Sequence, residues 1–247
     1  LITTNFMLVL KKKIKEYLRK VGYSLYKSSS FVSPSSEQVT KTIINRNDKL
    51  IIFDVGAYIG NSAKKYSEWF PQSLIYSFEP FEPNFNELAK LTSQQIKSFN
   101  IGLSDEAKFG TLCINAGSST NSILPLNKNA SKLWGGIEDL NPVSKINCEF
   151  STIDIFMEKN LINYIDFLKI DVQGAEFKVL EGAKKNLLSQ NIKLIQVEVI
   201  VVSTYEGQKT MGFYLDLFEN YGYKLKGISD MAHHQGQLLQ LDMFFII

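Results

Sequence analysis

The sequence predicts an α/β fold: a doubly wound, mostly parallel seven-stranded sheet closed by an antiparallel strand. Three observations support this. From about residue 50 onward, short apolar runs rich in β-branched residues alternate with segments of helical periodicity, the pattern of parallel strands joined by helices. One such run, residues 50–55, leads into the turn Gly56-Ala57-Tyr58-Ile59-Gly60, and a helical segment opens directly after it. The last two strand-like runs, 223–228 and 239–247, follow one another with no helical segment between them and so close the sheet as a pair.

Taken in order, residues 7–26 place Leu10, Ile14, Leu18 and Val21 at helical spacing, with Lys11, Lys12, Lys13, Lys15, Arg19 and Lys20 filling most other positions. This is a basic amphipathic helix, suited to peripheral contact with anionic lipid or a partner, or to packing its apolar stripe on the domain. Residues 27–37, rich in Ser with one Pro, read as a linker. The expected division is therefore 1–37 for helix and linker and 38–247 for the catalytic domain. Within it, strands are expected at 50–55, 73–78, 96–103, 111–115, 165–172 and 193–201 before the closing pair. Helices are expected at 61–70, 82–92, 175–188 and 211–221. Residues 117–144, rich in Ser, Asn and Gly, are too long for a simple connection and are expected to form a lid.

Composition narrows the classes. A chain of 247 residues that is 45% apolar suits one large domain rather than two small ones. Its 27 basic and 25 acidic side chains leave a net charge of +2, too little for a nucleic-acid binder. Cys113 and Cys148 have no CxxC partner and no His at metal spacing, so neither a disulfide framework nor a zinc site is expected. No apolar run reaches spanning length, and the short run at 7–10 precedes its lysines rather than following them. A cytoplasmic setting is expected, with membrane association through the basic helix.

The turn after the first strand carries the chemistry. Gly56 lets the backbone approach a ligand closely, and Gly60 lets the helix start pack tightly. The amides of Ala57, Tyr58 and Asn61 then lie around a helix N-terminus able to receive an anion. For S-adenosylmethionine that anion is the methionine carboxylate, and Asp54 at the strand tip is placed for its ammonium. Glu79, 19 residues beyond Gly60 and ending the next strand, is placed for the ribose hydroxyls. A dinucleotide site uses an acidic residue in the same way, so a nicotinamide-dependent oxidoreductase is the rival class. Against it stands Tyr58, which occupies the second glycine position of GxGxxG and would crowd a pyrophosphate. A non-catalytic adapter retaining the fold is the third class, disfavoured by the intact cofactor motif. Ser104 and Asp105 follow the third strand, within reach of an adenine or serving simply as turn residues.

Residues 51–247 resemble the FkbM family of methyltransferases, a Rossmann-like fold. The segments that carry the likeness are Phe53-Asp54-Val55-Gly56-Ala57-Tyr58-Ile59-Gly60, Phe78-Glu79-Pro80, Gly102-Leu103-Ser104-Asp105, Leu168-Lys169-Ile170-Asp171-Val172-Gln173-Gly174-Ala175-Glu176 and Val197-Glu198-Val199. At position 173 the family usually has Glu where this chain has Gln. The resemblance implies methyl transfer from S-adenosylmethionine to a hydroxyl of a small-molecule acceptor, such as a sugar, glycan or natural product.

An alcohol acceptor is a weak nucleophile and calls for a base. Asp171 ends the fourth core strand at the switch point of the sheet and is the first candidate, for both cofactor contact and catalysis. Glu198, a carboxylate inside the apolar run 195–202, is the second, because such a group is costly unless paired. His233 and His234, expected in a polar loop before the last strand, are the third, or a solvated pair.

Overall fold

The computed structural model describes residues 35–45 and 48–247. The basic amphipathic helix expected at 7–26 and most of the linker lie outside these residues. Helix α1 (Ser36–Ile43) begins where the linker was expected to continue. Its start is a capping box: Ser35 Oγ accepts from the Gln38 amide while Gln38 Oε1 accepts from the Ser35 amide.

The sheet follows from strict alternation in its strands. β1 (Ile51–Val55), β2 (Leu74–Phe78), β3 (Ile96–Phe99), β7 (Ile165–Ile170) and β8 (Ile192–Ile200) run parallel. β10 (Gln237–Ile246) enters antiparallel beside β8, and β9 (Lys224–His234) pairs antiparallel with β10 at the edge. The order is β3-β2-β1-β7-β8-β10-β9, seven strands with the reversal expected at the end. Phe53, Val55, Leu168, Ile170, Val197 and Phe245 point to one core, with Phe78, Phe156 and Phe218. Ile52, Phe167, Leu194 and Phe244 point to the other, with Tyr66 and Phe70.

Helices cover both faces: α2 (Asn61–Trp69), α3 (Glu82–Ala89), α5 (Ile153–Lys159), α6 (Glu176–Glu181), α7 (Lys184–Leu188) and α8 (Met211–Asn220), with the short α4 (Ala130–Leu133) in the long connection. The single helix expected at 175–188 is two, and the single strand at 96–103 is also two. β4 (Gly102–Leu103) leaves the main sheet to pair with β6 (Pro142–Ser151), which pairs in turn with β5 (Lys108–Asn115). This small second sheet was not expected, because β6 reads as polar: most of its residues are exposed and only Cys148 and Phe150 are buried. Among the described residues no helix is long and apolar enough to cross a membrane.

Candidate active site

A cavity of about 400 Å³ opens at the C-terminal ends of β1, β2 and β7, the place where open α/β sheets bind ligands. Its floor is Gly56, Ala57, Tyr58, Glu79, Asp171 and Glu198, one wall is Leu103, Leu112 and Phe150, and its roof is 118–123 with Trp134, Ile137 and Leu140.

The glycine turn is held by β2: the amides of Gly56 and Ala57 both donate to the Phe78 carbonyl, at 3.1 and 2.9 Å. Gly56 has φ +77°, and a Cβ there would stand 1.8 Å from the Asp171 carbonyl oxygen, so β1 and β7 meet too closely for any side chain. Tyr58 adopts φ +52° and donates its amide to Glu79 Oε2 at 3.0 Å. Glu79 Oε1 accepts from the Phe81 amide at 2.9 Å. Burial outweighs these two bonds and pushes the Glu79 carboxyl up to about 7.

Strand alternation explains the polar band beneath the cavity. Asp54, Lys169, Gln196, Glu198 and Asp242 share the strand face of Ile52, Phe167 and Leu194, and register sets Asp54 beside Lys169, Lys169 beside Gln196, and Glu198 beside Asp242. Lys169 Nζ lies 3.4 Å from Asp54 and 3.1 Å from Asp171. Burial opposes its charge, yet the two carboxylates hold the ammonium well above its ordinary value. Asp54 is wholly buried, and desolvation raises its carboxyl against the pull of Lys169.

Asp171 keeps a side-chain exposure of 30%. Burial works to raise its carboxyl, but Lys169 and the Gln173 amide hold it below the usual value. Glu198 lies the other way: burial and the neighbouring Asp171, Asp242 and Glu176 push it well above the usual carboxylate range. Gln240 donates to Glu198 Oε1 at 2.9 Å. The two neighbouring carboxyls are therefore biased in opposite directions, Asp171 toward its charged form and Glu198 toward its neutral one.

The family model of the methyltransferase FkbM domain matches residues 54–225. The chain belongs to the FkbM methyltransferase family. A 2-O-methyltransferase, NoeI, of Sinorhizobium fredii (strain NBRC 101917 / NGR234) is 26% identical over 203 residues, covering 76% of this chain and 79% of the relative. The crystal structure of a methyltransferase FkbM from Methylobacillus flagellatus KT is 14% identical and superposes with a TM-score of 0.53, over 87% of this chain and 48% of that chain. The chain thus spans about half of that structure, and the likeness is one of fold.

In this FkbM domain, Gly56, Ala57, Tyr58, Asn61, Glu79, Asp171 and Glu198 come together on one cavity. Asp54 and Gly60 lie behind that surface. Asp54 supports Lys169, and Gly60, at φ +90°, gives room to Leu88 and Leu91 of the α3 region. Ser104 and Asp105 do not line the cavity. Ser104 is buried with its hydroxyl on Asp105 Oδ1 at 2.8 Å, and Asp105 Oδ2 is paired with Lys178 at 2.7 Å, so both hold the β4 turn against α6.

His233 and His234 are also corrected. They belong to the regular strand β9 and pair with Leu238 and Gln237 of β10, at the hairpin end. His233 is exposed, and the ring of His234 rests against Gly135, outside the cavity. The polar composition around them reflects an exposed edge strand rather than a loop.

Sequence reasoning gave no role to Lys169, Tyr205, Gln240 or Trp134. Lys169 had a signal, a lone cation in the apolar strand 165–170. The other three had none, since register and a long connection bring them in. Trp134 donates its indole N–H to Thr204 Oγ1 at 2.8 Å, which seats the roof on the loop after β8.

Proposed function

We propose that this FkbM domain transfers the methyl group of S-adenosylmethionine to a hydroxyl oxygen of a small-molecule acceptor, a sugar, glycan or natural product, with Asp171 taking the proton. The observation that carries the reading is the pair of neighbouring carboxyls on the cavity floor, both accepting from the Gln173 amide, with the Lys169 ammonium 3.1 Å from Asp171 alone of the two. An alcohol is a weak nucleophile and calls for such a base as its proton leaves.

The residues present fit the cofactor. Gly56 leaves a cradle that a Cβ would fill, and Glu79 offers lone pairs beyond the two taken by backbone amides. The side-chain nitrogen of Asn121, on the cavity roof, is buried without a hydrogen-bond partner and suits a ligand acceptor. The cofactor's sulfonium, when bound, supplies an already activated methyl group. Asp171 orients the acceptor hydroxyl and accepts its proton, a contribution of about 10²–10⁴-fold. Lys169 keeps Asp171 ionised so that it can do so. Glu198 can donate a hydrogen bond to a second acceptor oxygen. Phe150, Leu112, Trp134 and Leu140 exclude water from the walls. NoeI, named as a 2-O-methyltransferase, supports oxygen as the atom methylated.

Labelled S-adenosylmethionine offered with panels of sugars, nucleotide sugars and lipid-linked glycans tests this. An acceptor methylated on oxygen is the expected result; methylation only on nitrogen or carbon would overturn it.

A further inference from the structure

We propose that Gln173 is a positioning residue for the proton-accepting carboxylate and the joint that ties the cavity roof to it. Gln173 follows β7 at φ +58°, a left-handed conformation that a long side chain holds only where its surroundings fix it. Its Nε2 donates to Asp171 Oδ1 at 2.9 Å and to Glu198 Oε2 at 2.8 Å, so both amide hydrogens are committed to the pair. On the other side, the Tyr205 hydroxyl donates to the Thr120 carbonyl at 2.7 Å and reaches Gln173 Oε1 at 3.2 Å. The backbone carbonyl of Gln173 accepts from Ser122 Oγ at 2.7 Å. Gln173 thereby bonds Asp171 after β7, Glu198 on β8 and Ser122 of the roof turn, and it meets Thr120 only through the Tyr205 hydroxyl.

The chemical consequence follows from the neutrality of an amide. Two carboxyl groups bridged by one uncharged donor can share a single proton, with the negative charge left on the member that also faces the ammonium. That member is Asp171, because Lys169 Nζ is 3.1 Å from its Oδ2. The other titratable groups packed around the pair are Asp54 on β1, Glu176 on α6, Asp242 on β10 and Tyr205 after β8. Tyr66 on α2 also faces Asp171 and Lys169, and of all these groups only Tyr205 touches the Gln173 amide besides the pair itself. Displacing the roof would withdraw Ser122 from the Gln173 carbonyl and Thr120 from the Tyr205 hydroxyl, loosening the turn that carries the amide and with it the carboxylates. A closed roof and an aligned base are thus one state.

The inference rests on the proposed O-methyl transfer, so its test includes a readout independent of catalysis. Gln173→Leu removes both donors. Gln173→Asn keeps an amide too short to span the pair and tolerates the left-handed backbone well, which covers the case in which the leucine variant fails to fold. Carboxyl-carbon NMR titration of the cofactor-free protein should show the lower apparent pKa of the Asp171–Glu198 pair rising by about 1–2 pH units, the size of one charge-assisted hydrogen bond. Ser122→Ala, which removes the hydroxyl that bonds the Gln173 carbonyl, should accelerate amide exchange at 118–123 at least about tenfold. With an acceptor in hand, the acid limb of the single-turnover rate should move up with the pair. A shifted titration and faster roof exchange without any oxygen-methylated product would support this inference while removing the O-methyl reading. Folded variants whose pair titrates as in the wild type, with unchanged exchange at 118–123, would overturn it.

Discussion

Replacing Glu79 separates its two duties. The wild-type carboxylate has an acceptor oxygen for each of two backbone amides, Tyr58 at 3.0 Å and Phe81 at 2.9 Å, with lone pairs remaining for a ribose. Glu79→Gln preserves volume but offers only one acceptor oxygen, so one amide faces an NH₂ group. At 6% exposure that orphaned N–H costs about 1–3 kcal/mol of stability. For a domain of this size each kcal/mol moves Tm by about 2–4 °C. The proposed contact to a ribose hydroxyl, charge-assisted above about pH 7 where the carboxyl is ionised, would be worth about 1.5–3 kcal/mol, or roughly 10- to 150-fold in affinity. Thermal melting and titration calorimetry with S-adenosylhomocysteine measure the two effects on the same protein. Glu79→Ala, which orphans both amides, should fall further in Tm. A folded Glu79→Gln variant with wild-type Tm and wild-type affinity would refute both the anchoring of the glycine turn and the ribose contact.

Gly56→Ala places a Cβ at 1.8 Å from the Asp171 carbonyl at a φ of +77°, and should lose at least about 2 kcal/mol in denaturant unfolding along with cofactor binding. Lys169→Met leaves the wholly buried Asp54 and the partly exposed Asp171 without their cation and should destabilise by about 3–5 kcal/mol in the same assay. The carboxyls of Glu79 and Glu176 are pushed by burial from 4.5 to about 7, so the folded state binds their protons more tightly than the unfolded chain does. Stability should therefore be greater at pH 5 and fall as pH rises from about 4.5 to about 7, by up to about 3 kcal/mol for each group, with Asp242 acting in the same direction. Cofactor-free melts across that range showing rising stability would contradict the assignment.

How much could be read beforehand follows from how local each signal was. The glycine turn, Glu79 and Asp171 sit at strand ends followed at once by a turn, so their place at the cavity was visible in the chain itself. Glu198 was visible as a charge within an apolar run, but its partners were not. Gln173 comes from a turn and Gln240 from a strand that reaches β8 only through antiparallel register. The His pair misled because an exposed edge strand has the composition of a loop. Ser104 and Asp105 misled because a turn residue beside a predicted site does not reveal which way its side chain faces. The second sheet escaped because the alternation of Ile146, Cys148 and Phe150 with Asn147 and Glu149 is confined to the second half of β6, while its first half is polar, exposed and was read as part of the long connection.

The central claim is that Asp171 is the base, and the most direct measurement is single-turnover methyl transfer by Asp171→Asn at saturating cofactor. The substitution keeps the shape and removes the charge that Lys169 and Gln173 sustain. The transfer rate should fall by at least about 100-fold while S-adenosylhomocysteine affinity changes far less. Glu198→Gln, which keeps a donor at the protonated position, should be the milder of the two. Transfer by Asp171→Asn at the wild-type rate, with Glu198→Gln inactive, would contradict the account.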